Sequence, residues 1–177
     1  AKVRRAEMRM KASRPYAEQL NHMFAQIYQA LSQQGMTGGT AGELAETTQY
    51  GALLTTRPVK NVGVIVITSD RGLCGAYNAN VLRAAQRLEK SLIAAGKTPH
   101  FYLIGTKAVQ SFKRYSTSPV LGRLANMTAA PTSHDAGLVA DTVIDAYMKG
   151  TIDSIEVLST RFFSMVSNVV RQQQLLP

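Results

Sequence analysis

The chain has 177 residues, 45 % of them hydrophobic and 18 % charged, with a formal net charge of +9. That apolar content excludes a wholly disordered chain. The single cysteine excludes an internal disulfide framework and a cysteine-cluster zinc site, and no apolar run approaches the roughly 18 residues of a membrane span. The surplus of positive charge points to an acidic or anionic partner. It is concentrated at the start, where Lys2, Arg4, Arg5, Arg9, Lys11 and Arg14 face only one acid, Glu7. The opening stretch is basic and amphipathic rather than apolar, so it does not read as a signal peptide, and the absence of a first Met suggests a processed or trimmed chain.

Residues 1–34 read as one long helix with Pro15 as its only breaker. Tyr16, Leu20, Met23, Phe24, Ile27, Tyr28 and Leu31 recur at the helical period and form an apolar stripe. Such a helix would be about 50 Å long at 1.5 Å per residue. A globule of this size has a radius of gyration of only ~16 Å, so the helix should overhang the rest and its stripe should need a partner helix. Residues 35–58, with Gly35, Gly38, Gly39, Gly42 and Gly51, read as a flexible linker, with a short helix around 43–50 left open.

From residue 59 to 168 the pattern changes to an α/β domain. Val62–Ile67 is a continuous apolar run, as expected of a strand buried on both faces. A helix follows with Val81, Leu82, Ala85, Leu88 and Leu92 on one face and Gly96 as its stop. Phe101–Ile104 reads as a second strand, Thr106–Arg114 as a short helix, and 115–131 as irregular. Ser133 is the expected cap of a third helix, which presents Leu138, Val139, Val143 and Tyr147 and ends at Gly150. Ile152–Leu158 alternates as a third strand, 161–170 is a candidate fourth, and 169–177 opens a C-terminal segment. Strands alternating with helices predict a Rossmann-like, mostly parallel sheet with helices on both faces and right-handed connections.

The segment most suggestive of chemistry is Thr68–Asn78, TSDRGLCGAYN, directly after the first strand, where α/β folds bind ligands. Gly72 and Gly75 alone do not make a dinucleotide fingerprint, and no Lys-Ser/Thr pair follows them to make a P-loop. Cys74 has the outline of a nucleophile elbow, with His22, His100 and His134 as the only candidate bases. Three residues separate the strand from Gly72, however, which is long for that turn. The remaining reading is a structural or partner-contact turn, with Asp70 and Arg71 paired to each other or to another chain. The scattered histidines do not form a metal site. Asp141, Asp145, Asp153 and Glu156 read as solvated positions rather than catalytic carboxylates. The basic stretch Lys2–Arg14 could contact nucleic-acid phosphates or be a solvated helix face.

Thr68–Asn78 closely resembles the signature of the gamma-subunit family of F-type ATP synthases. Ala1–Ala6 (AKVRRA), Ser13–Ala17 (SRPYA) and Gln174–Pro177 (QLLP) match that family in the same order, with Ile104–Lys107 and Thr160–Phe162 as weaker matches. The resemblance implies a non-catalytic central-stalk rotor subunit. Its terminal helices would form an antiparallel coiled coil inside a hexamer of alpha and beta subunits. Its α/β foot would touch the epsilon subunit and the proton-driven c-subunit ring, with no nucleotide, cofactor or metal of its own. Asp70, Arg71, Leu73 and Cys74 would contact beta, whose lower lobes are acidic, and Lys2, Arg4 and Arg5 would lie on the membrane side of the foot. The implied place is peripheral, on an energy-transducing membrane. No long insertion with a cysteine pair lies near 115–131, so the bacterial plasma membrane is favoured over a thiol-regulated chloroplast form. Much of both terminal helices of the family lies outside this sequence, which therefore reads as a central fragment. Two rival readings are a thiol hydrolase using Cys74 and a nucleic-acid-binding module using the basic helix.

Overall fold

The computed structural model describes residues 57–164 and 167–176, together with Leu53 and ten residues between Arg4 and Gln26. The chain divides into two compact units, Ala1–Thr55 and Thr56–Pro177. In the first unit all ten described residues from Arg4 to Gln26 are helical, Pro15 among them. Glu7 and Lys11, one turn apart, form an ion pair at 2.9 Å, the spacing that brings side chains together on a helix. Met8 and Met23 are exposed. Of the apolar stripe only Met23 is described. Tyr16, Leu20, Phe24, Ile27, Tyr28, Leu31 and most of the linker lie outside the described residues.

The second unit is built on a five-stranded sheet of order β3-β2-β1-β4-β5. β1 (Asn61–Ile67) is central, and its residues from Val62 to Val66 are all buried. β2 (Thr98–Ile104) and β4 (Ser154–Ser164) flank it in parallel, and β3 (Val120–Leu124) lies parallel to β2. β5 (Ser167–Leu176) closes the other edge, antiparallel to β4. The helices are α1 (Tyr77–Ala94), α2 (Thr106–Tyr115) and α3 (Ser133–Met148).

The pleat explains the layering. Val62, Val64 and Val66 share a core with Phe101, Leu103 and Leu158 and with Val81 and Ala85 of α1 and Phe112 of α2. The Phe112 ring lies 4.5 Å from that of Phe101. Alternate residues point the other way. Ile67 and Ile104 face Val139 of α3 across a cavity, and Gly63 leaves room for Ile152, which a Cβ would meet at 2.7 Å. Helices therefore cover both faces of a mixed, mostly parallel sheet. The chain runs outward from β1 to β3, then returns to the far side of β1. Right-handed crossovers then require α3 to lie opposite α1 and α2.

Both predicted glycine stops are present. Gly96 and Gly150 have φ of 70° and 72°. Lys97 N–H donates to Leu92 O and Gly96 N–H to Ile93 O, and the same pair of bonds closes α3 at Gly150 and Thr151, the Schellman arrangement.

Several expectations are corrected. The irregular stretch 115–131 contains β3, a five-residue edge strand with no buried residue. Gly122 interrupts its pattern because the Tyr102 ring occupies the space a side chain would need. The cap of α3 is Thr132, not Ser133. Thr132 Oγ1 accepts the Asp135 N–H, and Asp135 Oδ2 accepts the Thr132 N–H, a capping box. The strand expected at Ile152–Leu158 runs from Ser154 to Ser164, and the one suspected at 161–170 is β5, which takes in most of 169–177.

Asp153 is not solvated but buried. Its Oδ2 accepts the Lys60 and Asn61 N–H groups at 3.0 and 2.8 Å, and Oδ1 is 3.1 Å from Arg57 Nε. The Arg57 guanidinium also donates to the carbonyls of Tyr147 and Ile152 and lies 4.2 Å from the centre of the Tyr147 ring. Arg57, read as the end of the linker, thus fastens the entry to β1 onto the connection between α3 and β4.

Candidate partner-contact turn

Residues 68–76 leave the carboxyl end of β1 and reach α1. Their local geometry follows from two polar residues. Asn78, in the first turn of α1, accepts the Ser69 N–H at 2.9 Å and donates from Nδ2 to Ser69 Oγ, the Arg71 carbonyl and Cys74 Sγ. Asp70 points inward. Its Oδ1 accepts the Thr106 N–H at 2.8 Å, the Thr106 hydroxyl at 2.9 Å and the Asn126 N–H at 2.8 Å. Its Oδ2 accepts the Thr128 N–H at 2.8 Å and the Thr128 hydroxyl at 2.7 Å. The Asp70 N–H donates back to Thr128 Oγ1 at 2.9 Å. Burial pushes the Asp70 carboxyl up, but the bonds from the Thr128 hydroxyl and from the N–H groups of Thr128, Asn126 and Thr106 outweigh it and hold the group well below the usual carboxylate range.

Arg71, Leu73 and Cys74 form the outer surface of the turn. Leu73 is fully exposed at 110 % relative accessibility and has φ of 60°, a left-handed conformation that is uncommon for a leucine. Among the described residues neither Arg71 nor Lys107 has a carboxylate within ion-pair distance, and Lys107 lies beside Gly72. The turn therefore presents an apolar tip together with two cations that have no carboxylate partner among the described residues, and the carboxylate adjacent in sequence, Asp70, is engaged by internal bonds.

Cys74 is exposed, and the groups that reach its sulfur are Asn78 and Ser69, neither of them a base. No described histidine hydrogen-bonds it, so the geometry does not assemble a thiol nucleophile with its base. Behind the turn is a cavity of about 530 Å³ bounded by Ile67, Ile104, Met127, Pro131 and Val139, with Cys74 and Tyr77 at its edge. Among the described residues no cluster of three or more His, Cys, Asp or Glu side chains can hold a metal, and no helix is long and apolar enough to cross a membrane.

Of the residues predicted to touch partners, the structure brings Asp70, Arg71, Leu73 and Cys74 together in one turn, with Asp70 facing inward. Arg4 is helical and exposed in the other unit, and Lys2 and Arg5 lie outside the described residues. The sequence reading missed Thr106, Asn126, Thr128 and Asn78. Asn78 closes the motif itself and was legible there. The other three come from the ends of β2 and β3, and no local pattern links them to Asp70.

The fold defines a doubly wound α/β unit whose first strand-to-helix connection is a nine-residue polar knot rather than a phosphate-binding glycine turn. The family model for ATP synthase matches residues 1–177, and the chain belongs to that family. Similar curated proteins are named ATP synthase gamma chain. One from a Synechococcus species is 35 % identical, and one from a Picosynechococcus species is 39 % identical. Each match spans 100 % of this chain and 52 % of the relative. The chain thus spans about half the length of the curated relatives it matches. Among solved structures, a chain from the central stalk and c-ring of Tetrahymena thermophila mitochondrial ATP synthase superposes with a TM-score of 0.58. It is 20 % identical, with 90 % of this chain and 71 % of that one covered. A chain of the Euglena gracilis mitochondrial ATP synthase rotor gives a TM-score of 0.56 at 18 % identity, with 93 % and 62 % covered. These two likenesses bear on the fold.

Proposed function

We propose that the chain is part of a non-catalytic central-stalk subunit, the rotor of a proton-translocating F-type ATP synthase. In this reading residues 1–34 belong to the shaft, one strand of an antiparallel coiled coil, and residues 35–58 link it to the α/β foot. The partners are the alpha and beta subunits of the catalytic hexamer, the epsilon subunit and the c-subunit ring. The subunit needs no cofactor and sits peripherally on an energy-transducing membrane, with the bacterial plasma membrane favoured. Rotation couples to catalysis because beta conformations differ in their contacts with an asymmetric shaft.

The observation that carries the reading at the level of residues is the turn at 70–74. Leu73 stands out into solvent in a left-handed conformation, on a turn that also carries Arg71 and lies beside Lys107, two cations with no carboxylate partner among the described residues. An exposed leucine held at a conformational cost fits a contact surface better than a surface left to water. The cations suit an acidic partner surface. Lys2, Arg4 and Arg5 are assigned to the membrane side of the foot on the family resemblance alone.

The test is reconstitution of the full-length chain with alpha and beta subunits. Double replacement of Arg71 and Leu73 by Ala should leave the melting curve of the free chain close to wild type. It should weaken association with the hexamer about tenfold or more, an effect that shrinks at high salt. Unchanged association at low salt would remove the turn from the interface.

A further inference from the structure

We infer that Asp70 is a positioning residue: its carboxylate ties the contact turn to the start of α2 and to the β3–α3 connection, so that force arriving at Arg71 and Leu73 is shared by the ends of three strands. The inference rests on the proposed contact role of the turn. It changes the part Asp70 plays from touching the partner to setting the pose of the residues that do.

Among the described residues, 70–73 make no backbone–backbone bond to the rest of the fold. The nearest are Thr68 N–H to Ile104 O, Lys107 N–H to Ser69 O and Tyr77 N–H to Cys74 O. Apolar packing does not hold the turn either, since Leu73 is wholly exposed and the space behind Cys74 and Tyr77 is the 530 Å³ cavity. The pose therefore depends on two polar knots. Asn78 joins the turn only to α1, the element that follows it. Asp70 is the group that reaches other strands. Thr106 opens α2 directly after β2, and Asn126 and Thr128 follow β3. The two oxygens accept five donors from these three residues. A carboxylate is the side chain with enough acceptor capacity for this, and an amide loses one of its two acceptor oxygens. Asn126 itself has φ of 64°, a left-handed backbone at the residue whose N–H donates to Asp70.

The experiment uses the full-length chain and two variants, Asp70→Asn and Thr128→Val. The second breaks the same link from the other end and leaves the carboxylate in place. Amide hydrogen exchange is read on the free chain. Asp70→Asn should speed exchange at the four amides bonded within the knot, those of residues 70, 106, 126 and 128, by about tenfold or more while β1 and β4 keep their rates, with a smaller change of the same pattern for Thr128→Val. Unchanged exchange at these four amides, or a uniform rise across the sheet, overturns the brace.

The second readout is a cycle with Leu73→Ala on association with the alpha–beta hexamer. A positioning role predicts that Asp70→Asn weakens association about tenfold in the wild-type background and less than about twofold once Leu73 is Ala. Equal losses in both backgrounds would mean that Asp70 touches the partner itself, which overturns the inference. If Leu73→Ala alone changes nothing, the contact reading fails, and the exchange pattern still decides whether the brace exists.

Discussion

The two ends of the central strand each carry an aspartate with bonds to distant parts of the chain, and the two do different work. At the amino end, Asp153 is buried and offset by a cation, Arg57, and it accepts the N–H groups that open β1. At the carboxyl end, Asp70 is partly exposed and, among the described residues, meets neutral donors from two connections and no cation. The first arrangement closes the fold around its first and fourth strands. The second leaves the neighbouring arginine without a carboxylate partner among the described residues and ties down the base of an exposed turn. Removing the aspartate that faces a buried cation is costly because the cation is left unpaired; on the proposed contact role of the turn, Asp70's use of neutral donors leaves Arg71 available to an acidic partner.

The largest effect expected is at the amino end. Asp153→Ala leaves Arg57 without its carboxylate in a partly buried place and should cost roughly 3 kcal/mol in urea unfolding. A cost below that of Asp70→Asn would reverse the comparison. Gly105→Ala should come next, at about 2 kcal/mol. It has φ of 92°, and a side chain there would overlap the Thr68 carbonyl, so this one position at the carboxyl end should behave like part of the fold rather than part of the contact.

Acid titration separates the two ends more finely. Burial pushes the Asp153 carboxyl up, but the N–H groups of Asn61 and Lys60 and the Arg57 charge more than offset it, so Asp153, like Asp70, sits below the ordinary carboxylate range. A carboxyl depressed in the folded state adds stability that is complete above the unfolded value of ~3.9 and is lost as pH falls through that value toward the folded one. The share of stability owed to these two carboxyls should therefore be constant above about pH 5 and be lost below it, as an acid limb in the melting temperature. Asp70→Asn should make that acid limb shallower. An acid limb of wild-type steepness in the variant would mean that the donors around Asp70 do not stabilise its charge.

The smallest effect has the opposite sign. Leu73→Gly removes a side chain from a left-handed position and should raise stability by about 0.5 kcal/mol, while weakening association with the hexamer. A variant that binds as well as wild type would show that the tip is not a contact.

Much of the α/β unit was legible in the sequence. Val62–Ile67 announces a strand buried on both faces, Gly96 and Gly150 announce the helix stops, and the Thr132-to-Asp135 spacing carried a capping box that a search for Thr with an acid three residues on would have found. β3 was hidden because an edge strand buries little and because its glycine serves a neighbour's ring. The strand pairing of 167–176 was hidden because β5 is polar and exposed, and its membership in the sheet is decided by β4.

The turn motif shows the same division within a few residues. The sequence by itself determined that Thr68–Asn78 is a structured connection, through Gly72, Gly75 and Asn78, and that it carries a leucine and an arginine at its tip. It also determined, through the family match over residues 1–177, the family to which the chain belongs. Only the tertiary structure decided which way Asp70 and Asp153 face. An aspartate's partners at Thr106, Asn126 and Thr128, or at Arg57, lie 36 to 96 residues away along the chain. They become neighbours only after parallel strands bring their ends together, so no local spacing records them.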